Sequence, residues 1–124
     1  LLGTLPYMSP EQASGDPALI DTRTDVYSLG LLLFELLTDR RPRRLDHLAF
    51  ADAIQAIRFA EPTRLGSVSR ALRGDLETIV GKALERDKER RYDSASALGD
   101  DIRRHLQREP IPARPPPALY PPRK

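Results

Sequence analysis

Between Val26 and Leu37, nine of twelve residues are apolar, and they occupy every face of a helix rather than one stripe. A helix apolar all round belongs in the middle of other elements, not on a surface. The run is interrupted by Glu35 and is far shorter than the roughly 20 residues that cross a bilayer. It therefore predicts the central helix of a globular all-α unit and no membrane segment in this chain. Thr24 or Asp25 is the expected N-cap, and Asp39-Arg40-Arg41-Pro42 the stop after about Thr38.

Four further helices are expected around it, about five in all. Ser9-Pro10-Glu11-Gln12 has an N-cap serine, a proline at the first helical position and an acid in the first turn, and Gly15 and Pro17 end that short helix. Ala51, Ile54 and Ile57 lie at helical spacing within 48–60, with Pro62 beyond. From Gly74-Asp75 onward, Leu76, Ile79, Val80, Ala83 and Leu84 fit an amphipathic helix. The last begins at Ser94 and sets Ala95, Leu98, Ile102 and Leu106 on one face. No stretch alternates like a strand. Residues 1–108 read as one folded unit. Residues 109–124 read as a linker or tail, because Pro110 to Lys124 holds seven of the twelve prolines, a density that favours extended polyproline II.

The charge balance, 20 basic against 18 acidic residues, gives no basic face for nucleic acid, since Arg114, Arg123 and Lys124 of the tail account for the excess. With no cysteine, disulfides and thiolate metal sites are excluded. His47 and His105 stand far apart with no ligand spacing around either, so no metal site is expected. The chain begins mid-motif at Leu1-Leu2-Gly3, without Met, and is expected to be a piece of a longer protein.

Two segments carry the functional information: Gly3-Thr4-Leu5-Pro6-Tyr7-Met8-Ser9-Pro10-Glu11-Gln12, and Asp25-Val26-Tyr27-Ser28-Leu29-Gly30 at the start of the apolar helix. Together they resemble the end of the activation segment and the start of the central helix in the large lobe of protein kinases, with Ser9 in place of Ala in the Ala-Pro-Glu signature. A third match, Arg91-Tyr92-x-Ser94-Ala95, resembles the Arg-bearing turn between the last two helices of that lobe. The order is right from Leu1 to about Leu106, and the chain is similar to bacterial serine/threonine kinases of the eukaryotic-like type. The resemblance implies the helical subdomain of the large, C-terminal lobe. Asp39 and Arg43 depart from the usual Gly and aromatic after the central helix, and Asp87-Lys88 from the usual Asn-Pro.

The resemblance assigns roles residue by residue. Glu11 and Arg91 would form an ion pair tying the substrate loop to the helical base; taken singly, they are two charges that water could solvate. Asp25 would anchor the catalytic loop through its backbone N–H groups, a role compatible with that of a helix cap. Thr4 would align the acceptor hydroxyl, beside Gly3, while Pro6, Tyr7 and Met8 shape the docking loop. Gly3-Thr4 followed by Pro6-Tyr7 separates the pattern from that of tyrosine kinases.

The glycine-rich phosphate loop, the Val-Ala-Ile-Lys strand, the His-Arg-Asp loop and the Asp-Phe-Gly motif do not occur in the sequence. No catalytic, cofactor-binding or metal residue is therefore assigned here. ATP and Mg2+ belong to the intact kinase, and the chain alone is expected to be inactive. The implied function is part of a serine/threonine kinase that transfers the ATP γ-phosphate to protein Ser/Thr hydroxyls. The implied partners are those protein substrates and the missing N-terminal part of the same domain. A cytoplasmic location is implied, with a membrane anchor beyond residue 124 compatible with it. Two alternatives stand beside this reading: a pseudokinase or scaffold module that binds a protein partner, and a helical adaptor presenting Pro112-x-x-Pro115 to an aromatic-lined domain. Without an upstream segment, part of the Leu29–Leu37 face is expected to be exposed.

Overall fold

The computed structural model describes residues 2–108 and 110–113, with side chains from Leu5 onward. Six α-helices and no strand occur among the described residues, so the chain is all-α. Most of the expected polyproline tail, Pro115 included, lies outside them.

The first helix, α1, is Pro10–Ser14. Ser9 caps it by accepting from the Gln12 N–H at 3.2 Å, while the Gln12 side chain accepts from the Ser9 N–H at 2.8 Å. Gly15, at φ 81°, ends the helix in the left-handed region, where a glycine costs nothing.

The long helix α2 is Thr22–Thr38, and its cap differs from the sequence expectation. Asp21 is the N-cap: its carboxylate accepts from the Arg23 N–H at 2.9 Å, and Thr24 Oγ1 accepts from the Asp21 N–H at 3.2 Å. Thr24 thus serves as the third helical residue of a capping box, and Asp25 is an exposed residue of the first turn. Asp21, Thr24 and Asp25 are all competent caps; the reciprocal bonds of Asp21 with Thr24 satisfy two backbone donors at this end of the helix. At the other end Asp39 takes a left-handed conformation, φ 58°.

Helices α3 (Phe50–Phe59), α4 (Leu65–Val68), α5 (Asp75–Ala83) and α6 (Ala95–Leu106) complete the set. The four-residue α4 had no counterpart in the apolar spacing. Helix α2 packs against α5 and α6 through Val26, Ile79, Ala83 and Leu98 on one side, and Tyr27, Leu31, Phe34, Val80 and Leu84 on the other. The backbone of α2 comes very close to α5 at Gly30: a Cβ added there would lie 2.8 Å from Ala83 Cβ, so only glycine fits. A separate small core joins α1 and α3, where Ala53 and Ile57 meet Leu5.

Helix α2 is covered on one side only. Tyr27, Leu31 and Phe34 are buried, whereas Leu32 is 47% and Leu36 82% exposed. On α6, Leu98 is buried and Ile102 packs on the core, while Leu106 is exposed. Past α6 the backbone folds back: Ile111 is buried among Val26, Tyr92 and Leu98, and Ala113 packs beside it. The first residues of the expected tail are therefore packed on the helical body.

Candidate functional site

Residues 2–7 form a 3-10 turn that leads into α1, and both sides of this turn are anchored. Leu5 is buried and Met8 packs in the α1–α3 core. Tyr7 leans on the α2–α5 core, and its hydroxyl donates to Glu35 Oε1 at 2.8 Å. The Arg41 guanidinium lies 5.5 Å from the centre of the Tyr7 ring. Gly3 and Thr4 belong to this turn by their backbone, and the Thr4 hydroxyl lies outside the described side chains. Pro6 is half-buried within it.

Eighty positions separate Glu11 from Arg91, and the fold brings them together. Arg91 Nη1 donates to Glu11 Oε2 at 2.6 Å and Nη2 to Oε1 at 2.7 Å, a two-bond fork in which both side chains are buried. The remaining guanidinium donors go to main-chain carbonyls: Nε to Glu85 at 2.7 Å, Nη1 to Arg23 at 3.0 Å and Nη2 to Arg86 at 3.2 Å. All five N–H groups of the arginine are therefore used. A lysine has neither the donor count nor the planar fork to do this. The Tyr27 ring lies against the guanidinium, 4.8 Å from centroid to Cζ, which is cation–π distance.

Thr24 completes the cluster by donating to Glu11 Oε2 at 2.7 Å. Burial pushes the Glu11 carboxyl up, but the hydrogen bonds from Arg91 and Thr24 outweigh it and hold the group below its ordinary value. Burial raises the Tyr27 phenol. One buried network thus joins α1, the start of α2 and the segment between α5 and α6. Its chemistry is structural, because every polar atom of the pair is engaged and both side chains are buried.

Asp25 is not part of this network. It is exposed in the first turn of α2, and it forms no ion pair among the described residues. Sequence reasoning missed Thr24 as the third member; the Asp21-x-x-Thr24 box is the signal that could have found it, since a boxed threonine has a fixed rotamer. It also missed a second buried cluster. Asp101 is 1% exposed and accepts from Tyr92 Oη at 2.8 Å, Arg104 Nη1 at 3.0 Å and the Ala113 N–H at 3.4 Å. Burial, followed by the Asp101 hydrogen bond, drives the Tyr92 phenol far up.

Among the described residues no group of His, Cys, Asp and Glu can hold a metal ion, and no helix is long and apolar enough to cross a membrane.

No family model matches the chain. It is 39% identical over 110 residues, 89% of its length, to the serine/threonine-protein kinase PknB of Mycobacterium tuberculosis, of which it covers 17%. It is 38% identical over 108 residues to the serine/threonine-protein kinase PksC of Streptomyces coelicolor, matching 84% of this chain and 18% of that protein. It is 36% identical over 110 residues to the serine/threonine-protein kinase PknD of Chlamydia caviae, matching 89% of this chain and 11% of that protein. The chain spans about one-sixth of the length of the first of these relatives.

Proposed function

As a homologue of one segment of the bacterial serine/threonine-protein kinases, this chain is, we propose, the substrate-docking loop and helical base of such a kinase. The intact enzyme would transfer the γ-phosphate of ATP to Ser and Thr hydroxyls of protein substrates. The observation that carries the reading is the buried Glu11–Arg91 fork, which ties α1, directly after the docking turn, to the segment between α5 and α6. Phosphoryl transfer works mainly by positioning and electrostatics, so a loop that receives the acceptor must be held rigidly. In this reading Thr4 aligns the acceptor hydroxyl, Gly3, Pro6, Tyr7 and Met8 shape the docking surface, and Asp25 holds a catalytic loop supplied from outside the chain. The exposed leucines of α2 would be covered by that same N-terminal part of the domain.

No residue is assigned to ATP or Mg2+. The seven glycines form no phosphate loop, and the carboxylates of the described residues do not cluster as magnesium ligands. The chain alone is accordingly proposed to be inactive. As a scaffold, it would need neither Thr4 nor a rigid docking turn.

A chimera tests this. The matched segment of M. tuberculosis PknB is replaced by this chain, and incorporation of labelled γ-phosphate into protein Ser and Thr is measured beside the isolated chain. An active chimera that loses about 100-fold on Thr4→Ala, and recovers with Thr4→Ser, supports the reading. A folded chimera without activity would refute it, as would ATP-dependent labelling by the isolated chain.

A further inference from the structure

The loop after α2 carries Arg40, Arg41, Arg43 and Arg44 within five residues. Together with Leu5 and Pro6 of the 3-10 turn they line a groove of about 810 Å³. Arg43 is committed to the fold: it donates to the Ala60 carbonyl at 3.5 Å and lies over the Tyr27 ring. Arg41 is partly committed, 4.0 Å from Glu35 and above Tyr7. Arg40 and Arg44 are exposed, and neither guanidinium has a hydrogen bond or ion pair among the described residues.

Three carboxylates, Glu35, Asp39 and Asp46, share the rim with the four arginines. Glu35 accepts from Tyr7, and Asp46 lies 3.8 Å from His47 Nδ1. Four arginines against three carboxylates leave the groove a net charge of +1. Its floor is apolar, and Phe50, half-exposed, forms part of the wall. Glu35 would otherwise be the natural partner for a basic peptide residue, and Tyr7 and Arg41 already hold it.

We propose that this groove recognises an anionic side chain of a peptide, a carboxylate or a phosphate, through Arg40 and Arg44, with a neighbouring apolar residue against Phe50. Guanidinium forks suit both anions. A peptide fits better than a nucleic acid because the chain's net charge is only +2 and apolar residues, Leu5, Leu45, Leu48 and Ala53, line the groove beside its arginines. The proposal deepens the docking reading, naming an acidic class of peptide beside the proposed docking turn.

The test is fluorescence anisotropy on the full chain with three labelled twelve-residue peptides. Each contains Thr followed by an apolar residue, and they differ in flanks of Glu/Asp, of Gln/Asn, or of phosphoserine. The acidic or the phosphorylated peptide should bind at least 10-fold more tightly than the neutral one, the tighter of the two identifying the anion. The preference should weaken with salt and vanish in Arg40→Gln/Arg44→Gln. It should persist in Arg70→Gln/Arg90→Gln, exposed arginines that do not line the groove. Equal affinity for all three peptides, or no binding by a chain whose far-ultraviolet circular dichroism is helical, overturns the proposal. So does an equal loss in both double variants, or displacement by single-stranded DNA of matched charge at the same concentration as peptide. An inactive chimera with intact acidic preference would sink the kinase reading alone; an active chimera without that preference would sink only this one.

Discussion

Replacing Arg91 with methionine puts the central tie under a quantitative test. The guanidinium is fully buried and donates five hydrogen bonds, two to Glu11 and three to main-chain carbonyls of Arg23, Glu85 and Arg86. Methionine fills much of the volume and supplies none of them. Glu11 keeps only the Thr24 bond, at 2.7 Å, on a buried carboxylate. Breaking a buried pair from one side costs about 3–5 kcal/mol, since the remaining charge loses its counter-ion and cannot reach water. Urea unfolding followed by circular dichroism measures it. With a slope of about 1.5 kcal/mol per molar for a small domain, the midpoint should fall by roughly 2–3 M. The double variant Glu11→Leu/Arg91→Met removes both charges together and should recover most of the loss, as exchange of a whole buried pair for apolar residues is often neutral. A single variant costing less than about 1 kcal/mol, or a double variant worse than the single, would refute the reasoning.

The remaining predictions concern other links. Because the Glu11 carboxyl is held below its ordinary 4.5, its contribution to stability is complete above that value and is lost as pH falls through the lower folded-state value. Glu11→Gln should therefore lose less stability than the wild-type chain on acidification below about pH 4.5, and parallel profiles would contradict this. Gly30→Ala forces a Cβ to 2.8 Å from Ala83 Cβ and should cost about 1–3 kcal/mol in the same unfolding assay, with part regained by Ala83→Gly. Ile111→Ala should cost about 2–5 kcal/mol, because Ile111 is 4% exposed in the main core; a cost under about 0.5 kcal/mol, the usual size of a surface change, would mean that the segment past α6 is not packed.

What the sequence made legible depended on whether a signal was periodic and whether its partner lay within the chain. Ile79, Val80 and Ala83 repeat at helical spacing and form the buried face of α5. Four-residue α4 has no period to detect, because one turn of helix shows each face once. The cap of α2 was misplaced because Asp21, Thr24 and Asp25 can each cap, and only the reciprocal hydrogen bonds of Asp21 with Thr24 decide between them. Ile111 stands alone between two prolines, where composition reads extended chain, yet one apolar residue at the right path length fills the gap beside Leu98. Glu11 and Arg91 could be paired by resemblance, whereas the three carbonyls that complete the arginine follow from the path of the backbone and no side-chain pattern encodes them.

The uncovered side of α2 bears on the same distinction. The sequence marks this helix as apolar on every face, and the fold covers only the side that carries Val26, Tyr27, Gly30, Leu31 and Phe34. Leu32 and Leu36, four apart and on one stripe, remain 47% and 82% exposed, an aggregation liability that helix formation alone does not require. If the stripe is there for a neighbouring segment, changing it must be cheap in this chain and expensive where the neighbour is present. Leu32→Gln/Leu36→Gln should shift the stability of the chain by no more than about 0.5 kcal/mol per site, the usual size of a surface change, and should reduce its self-association in sedimentation. In the PknB chimera the same pair should instead lower the melting temperature and the kinase activity, since each glutamine would bury an amide against apolar neighbours. An equally small effect in both settings would show that nothing covers α2 there, and the docking base would have to be held by its own ion pair alone.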